Sequence, residues 1–297
     1  KMPLHPIQGI LWMISTGLCF IAVTAIVKYA AQDLPAAEAA FLRYLLGLVF
    51  LLPIARTLLA TRISSRDLKF FAARGLVHTL AVILWFYAMT QIPIAEVTAM
   101  NYLNPVYVTL GAAIFLGETL ALRRILAVVA ALLGVVVILR PGFREIETGH
   151  LAMLATAALF GASYLFAKPL SGRYSATMVV AMLSVTVTVG LAPFAFAVWR
   201  TPTVAALGWM FLVAAFATAG HYTMTRAFAA APISVTQPVT FLQMVWAVLL
   251  GWAFFAEPPD GFVILGALII IASVSFIAWR EARLKRGVTP PHVATKH

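Results

Sequence analysis

Four polar residues stand inside long apolar runs and are the groups best placed to do chemistry. Asn101 and Asn104 are three residues apart, with Pro105 next to them, so on a helix they share a face. Thr240 and Gln243 hold the same two places 139 residues later. A carboxamide both donates and accepts hydrogen bonds, so two such faces at matching depth can meet a carboxylate and an ammonium. The alternative is hydrogen bonding between helices, a common use of these residues in apolar surroundings. His78 and His221 also lie deep in apolar sequence. Each either binds substrate or carries a proton near neutral pH, or else sits packed and hydrogen-bonded. Tyr102, Tyr164 and Trp246 can supply flat walls with a polar edge.

What is absent narrows the chemistry. All ten acids, from Asp33 to Glu281, fall at the ends of apolar runs or between them. Carriers driven by protons or sodium typically keep a carboxylate at mid-membrane. The expectation is therefore a facilitator that lets substrate run down its gradient, with histidine-based proton coupling as the exception. No GxxxxGK[ST] occurs, which removes ATP drive of the P-loop kind. The six histidines are dispersed and no HExxH appears, so neither an enzyme nor a metal or cofactor site is expected. Cys19 is the single cysteine, leaving no intrachain disulfide.

The elements that must hold these groups are overwhelmingly apolar. Of 297 residues, 63% are hydrophobic and 10% charged, with a mean hydropathy of +0.98. An ordinary soluble domain is about half apolar and a quarter charged. A helix needs about 20 apolar residues to cross the hydrocarbon layer. Ten such stretches fill the chain, near 8–30, 36–57, 70–90, 93–116, 119–139, 149–168, 174–199, 204–228, 232–256 and 261–280. Lipid offers the backbone no partners, which leaves helices or a closed barrel. The absence of dyad alternation excludes the barrel. The sequence predicts an all-α integral membrane protein. Its first apolar stretch, Gly9 to Val27, is too long for the h-region of a cleaved signal. A membrane lipid enzyme and a simple channel are the alternatives from other classes.

Basic residues set the orientation. With the N-terminus in the cytoplasm, most of the 21 Lys and Arg fall inside, including Arg66, Lys69, Arg74, Arg123, Arg124, Lys168 and Arg173. Lys28, Arg140, Arg144 and Arg200 fall outside, and Arg43 lies within a span. This is the positive-inside pattern. Both termini are then cytoplasmic, and the +11 net charge is a topology signal, not a nucleic-acid footprint. Lys28 and Lys168 end the first helix of each half, each either a snorkelling end charge or a gate. Arg43 is expected to pair with helix ends or with Glu38.

Shifted by 139 residues, PIAEVTAMNYLNPVYVTLGAAIFLGE from Pro93 aligns without a gap on PISVTQPVTFLQMVWAVLLGWAFFAE from Pro232. Pro93 pairs with Pro232 and Glu118 with Glu257, so the punctuation repeats in register. Pro93 and Pro232 begin the fourth helix of each half after a short turn; Glu118 and Glu257 end it. Five spans per half is an odd number, so the second half enters from the opposite side. Inverted repeats of this kind place a substrate site near the midplane. The halves are drawn at 6–140 and 147–281, with a disordered cytoplasmic tail over 282–297.

Three stretches, FLRYLLGLVFLLPI (Phe41 to Ile54), QIPIAEVTAMNYLNPVYV and LGETLALRRILAVVAALLGVVVI, carry a family resemblance. They resemble the drug/metabolite transporter superfamily, EamA type, with two EamA repeats over essentially the whole chain. Within it, the sequence looks most similar to YddG-type exporters of aromatic and other neutral amino acids. The second repeat departs from the pattern at Pro258-Pro259. The resemblance implies ten helices, a cavity formed mainly by spans 1, 3, 4, 6, 8 and 9, and alternating access in a bacterial inner membrane. It also implies export of neutral, aromatic or hydrophobic amino acids, with another metabolite or a drug as the alternative cargo. Ten spans suffice for a monomer. The expected substrate contacts are Asn101, Tyr102, Asn104, Tyr164, His78, His221, Thr240, Gln243 and Trp246.

Overall fold

A computed structural model of the chain describes residues 5–231 and 233–287. The first half comprises α1 (Pro6–Ala30), α2 (Ala36–Gly47), α3 (Ala55–Ala60), α4 (Ser65–Gln91), α5 (Ile94–Asn101), α6 (Asn104–Phe115) and α7 (Leu122–Leu139). A 3₁₀ segment, Leu48–Ile54, joins α2 to α3. The second half comprises α8 (Thr148–Ser171), α9 (Ala176–Ala197), α10 (Val204–Ala230), α11 (Ile233–Val239), α12 (Phe241–Phe255) and α13 (Gly261–Gly287). Eight stretches are long and apolar enough to cross a membrane, counting α2–α3 as one. The remaining two crossings are the broken pairs α5–α6 and α11–α12, giving five crossings per half.

The outward surfaces are those of a protein dissolved in lipid. Leu11, Leu76, Leu126, Leu133 and Val189 are exposed on helices that bury glycine, alanine and threonine inward. Without a hydrophobic drive between helices, small residues allow the close contact that holds such a bundle together. Where α7 crosses α13, a Cβ on Gly134 would lie 2.8 Å from the carbonyl oxygen of Gly266. No larger residue fits there without moving a backbone.

The two halves interlock as an inverted repeat requires. Helix α1 packs along α10, and its mate α8 packs along α4. The pairs α2 with α9 and α7 with α13 each join a helix to its own counterpart, and α5 with α12 joins the two broken crossings. The most extensive contacts therefore either have a symmetry partner or lie across the pseudo-twofold axis.

The spans expected at 93–116 and 232–256 are each interrupted. Pro105 has no N–H to bond the carbonyl of Asn101, so α5 stops there, Tyr102 and Leu103 form a tight turn, and α6 begins at Asn104. In the second half, Pro238 lies near the end of α11 and the break falls at Thr240. Interrupted helices in corresponding places are the mark of a binding site at the repeat interface.

The tail expected from residue 282 is partly a helix. Helix α13 continues to Gly287, with Arg283 over the Trp279 ring one turn back and Glu281 held 2.5 Å from Arg124. These contacts extend the last crossing beyond its apolar part. Residues 288–297 lie outside the described residues.

Candidate functional site

The two helix breaks face each other. Tyr102, at the end of α5, donates its hydroxyl hydrogen bond to the carbonyl oxygen of Thr240 at 2.8 Å. Asn101 Oδ1 and Asn104 Oδ1, on either side of the α5–α6 break, and Trp246 Nε1, whose side chain packs against Ile21, Ile94 and Ala247, are buried with no hydrogen-bond partner among the described residues. Buried polar atoms are normally paired, so three orphans beside two broken helices mark a place where something else binds. Gln243 packs against α1 at Gly17, where a Cβ would come within 3.4 Å of its own. Tyr102 itself is buried with its hydroxyl used up, which makes it a tie between the breaks more than an exposed wall.

A second group of polar side chains comes from α2, α4, α8 and α10. His78 shares a 2.9 Å hydrogen bond with Ser163, and Arg74 Nε donates to the same oxygen at 3.3 Å. Phe160 stands 4.8 Å from the His78 ring, and Trp85 stands edge-on to Phe160. Phe20, one turn along α1 from Gly17, meets the His221 ring edge-on at 5.3 Å. Arg43, Arg74, His78 and His221 are close enough to feel one another's charge, as Tyr44 and Tyr164 feel Arg74. Tyr164 keeps 44% of its surface accessible, and His221 is also exposed although its ring packs against Phe20 of the neighbouring helix α1. Open surface beside the arginines describes the wall of an internal cavity, not a lipid-facing side.

Two expectations need correction here. Arg74, counted among the cytoplasmic-side topology charges, is not a charge at the membrane surface: α4 begins at Ser65, which puts Arg74 about two and a half turns inside the helix, only 5% exposed. Arg43 does not pair with Glu38. Its guanidinium lies 4.0 Å from the centre of the Tyr44 ring, while Glu38 Oε2 accepts the backbone N–H of Arg200. Helix α2 thus joins the helices that contribute side chains to the cavity.

The charged ends of the helices form a third element. Lys28 is paired with Glu257, and both side chains are largely buried. Lys28 Nζ also donates to the carbonyl of Ile92 at 2.7 Å, and Glu257 Oε2 accepts the N–H of Ile94 at 3.0 Å. Lys28 and Glu257 therefore clasp the turn at Pro93, joining α1, α4, α5 and α12. On the same face, Glu96 is bonded to Arg144 at 2.6 Å and to His150 Nε2 at 2.7 Å, and Arg140 is paired with Asp260. His150 Nδ1 accepts the N–H of Glu147, so Nε2 carries the hydrogen that reaches Glu96. At the opposite face, Lys168 and Glu118 stand 3.6 Å apart with about half of each side chain exposed. Pro232 lies outside the described residues, so the turn it begins has no structural account.

The expected contacts thus fall into two sets. Asn101, Tyr102, Asn104, Thr240, Gln243 and Trp246 gather at the helix breaks, while His78, Tyr164 and His221 gather around the arginines. Arg43, Tyr44, Arg74 and Ser163 complete the second set and were not among them. The apolar stretch near 70–90 already contains Arg74, and a Ser64 N-cap, whose hydroxyl accepts the N–H of Asp67, starts α4 early enough to put Arg74 well inside it.

The profile of the EamA-like transporter family matches residues 7–140 and again 147–279. A protein named riboflavin transporter from Rhizobium johnstonii is 33% identical over 288 residues, covering 96% of this chain and 95% of that protein. A riboflavin transporter from Vibrio cholerae is 29% identical over 289 residues, covering 95% and 96%. A pseudopaline exporter from Pseudomonas aeruginosa is 25% identical over 282 residues, covering 94% and 98%. None of these three names refers to an amino acid exporter.

Proposed function

Because the chain belongs to the EamA-like transporter family, we propose that it carries a small, planar, conjugated metabolite of flavin type across the membrane by alternating access. The observation that carries this is the pair of interrupted helices, tied by Tyr102 to Thr240, with the orphaned Asn101, Asn104 and Trp246 on them. The orphaned carboxamide oxygens call for donors and the indole N–H for an acceptor, and a heterocycle with a ring N–H beside carbonyl and ring nitrogen acceptors supplies both. Phe160, Trp85 and Tyr164 offer faces for its ring. Two relatives named for riboflavin, each similar over nearly the whole chain, support the same class.

Export of neutral aromatic or hydrophobic amino acids is the second reading. It is favoured by the two asparagines that flank the α5–α6 break, whose amides can meet both ends of a zwitterion. In either case the carrier works as a facilitator and a monomer. Every acid with a described partner sits at a helix end, tied to a base or to a backbone N–H. We assign the Lys28 face to the outside and both termini to the cytoplasm, on the distribution of basic residues. The structure is then closed outward at Lys28–Glu257 and loose inward at Lys168–Glu118.

Purified protein in liposomes preloaded with riboflavin tests the assignment. Counterflow of external riboflavin that saturates, and that falls about tenfold or more in Asn101→Ala and Gln243→Ala, is expected on loss of substrate hydrogen bonds. Counterflow driven by phenylalanine or leucine but not by riboflavin would replace the first reading by the second. Unsaturable flux without counterflow would remove both in favour of a channel.

A further inference from the structure

The cavity holds two permanent positive charges and no carboxylate to answer them. Arg74 and His78 both meet Ser163 Oγ, Arg43 lies over the Tyr44 ring on the neighbouring helix α2, and a guanidinium stays protonated in any protein setting. Arg74 is buried, and its hydrogen bonds among the described residues are two long ones to neutral acceptors, Ser163 Oγ at 3.3 Å and the carbonyl of Val179 at 3.4 Å. Arg43 has a ring beneath it and no ion pair among the described residues.

The acids that could neutralise them are committed elsewhere. Asp67 is held by Arg173 and Tyr174, Glu96 by Arg144 and His150, Glu118 by Lys168. Glu257, Asp260 and Glu281 each pair with a base, and Glu38 with the Arg200 N–H. Charges kept within a membrane span are costly unless they face water or a counter-charge, and they mark the path of what is carried. Arginine offers a planar fork of donors matched to two oxygens. A positive site walled by Tyr44, Tyr164 and His78 attracts anions, repels cations, and gains least from a neutral molecule.

We propose that this site selects an oxyanion, a carboxylate or phosphate borne by an aromatic substrate, and that Arg74 and Arg43 bind it while the ring lies toward His78 and Tyr164. The proposal rests on the carrier assignment but not on the flavin itself. Within that class it predicts preference for members that carry a negative group over their neutral counterparts.

Matched pairs that differ only in charge test it. Equilibrium dialysis on the whole protein in nanodiscs compares flavin mononucleotide with riboflavin, and indole-3-acetate with indole-3-acetamide. The anion of at least one pair is expected to bind tenfold or more tightly than its neutral partner. Which pair shows the larger ratio separates phosphate from carboxylate. Arg74→Gln and Arg43→Gln should each bring the ratio toward one, and Arg74→Lys should restore part of it by returning the charge without the fork. Both members of a pair are measured on the same sample, so partial loss of folded protein cancels from the ratio. If Arg74→Gln does not fold, the wild-type ratio and Arg43→Gln decide. Equal or inverted ratios in both pairs overturn the oxyanion proposal and leave the carrier assignment standing. Saturable riboflavin counterflow with those ratios would confirm that split. No saturable binding of any of the four compounds overturns both.

Discussion

Lys28–Glu257 and Lys168–Glu118 occupy corresponding places in an inverted repeat, yet they are in opposite conditions. The first pair is largely buried, and each partner also bonds the backbone around Pro93. The second is half exposed at 3.6 Å. Lysine ends the first helix of each half and glutamate ends the fourth helix of the other half, so each pair joins the two halves at one face. What differs is whether the face is shut. The same two residue types serve as a latch in one place and as an open hasp in the other, which is what one frame of a two-state carrier should look like.

The largest expected effect comes from unlatching the closed end. Lys28→Met leaves Glu257 buried without its cation, a change that costs about 3–5 kcal/mol for a broken buried pair. Transport should fall tenfold or more, and a cysteine introduced at Ala247 in a Cys19→Ser background should become reactive to an aqueous thiol reagent. Unchanged labelling would mean the pair does not close that face. Second in size is the exchange Lys28→Glu with Glu257→Lys, which restores the pair in reverse. It should recover part of the lost transport, whereas each single change should not.

Lys168→Met sharpens the contrast because it separates stability from turnover. An exposed pair contributes about 0–1 kcal/mol, so melting in detergent should shift little. Turnover should still drop several-fold, because closing the other face needs this pair. A fall in melting temperature as large as that of Lys28→Met would erase the difference between the ends. The smallest effect is expected at Asp260, between α12 and α13. Burial works against its charge, but hydrogen bonds from Arg140 and from the N–H groups of Phe262 and Val263 outweigh that and hold its carboxyl below the ordinary value. A group depressed in this way stabilises the fold at neutral pH, and the contribution is lost as pH falls through its folded-state value. Asp260→Asn, which can still cap α13, should therefore flatten the acid side of the stability profile while leaving transport at neutral pH nearly unchanged.

Much of the architecture was legible because lipid leaves the chain few choices. Apolar length gives the crossings, and Pro and Glu in register give the repeat. The broken helices were harder to see: Pro105 and Pro238 are visible, but hydropathy averages over them. Asn101, Asn104 and Gln243 stood out because polar groups in apolar runs are conspicuous. Arg74 did not, since its neighbours Arg66 and Lys69 made it look like one more topology charge. A basic residue about two turns from a helix start looks the same in sequence whether it snorkels outward or turns into a cavity. Arg43 was seen but assigned to Glu38, because spacing along one helix says nothing of Arg200 arriving from another. Ser163 gave no signal at all, since a lone serine among small residues reads as packing.

The tie between the two helix breaks has a consequence for the resting balance of the molecule. Tyr102 donates to the carbonyl of Thr240. In a mirror arrangement, the residue at 241 would have to donate to the carbonyl of Asn101. That residue is Phe241, which has no hydroxyl. The repeat is symmetric in its backbone but not in this bond, so under the alternating access proposed above its two end states would be unequal in energy before any cargo arrives. One hydrogen bond is worth about 0.5–1.5 kcal/mol net, enough to favour the present state by roughly twofold to tenfold. Left idle, the protein would wait with one door shut, and Phe241→Tyr would let it forget which.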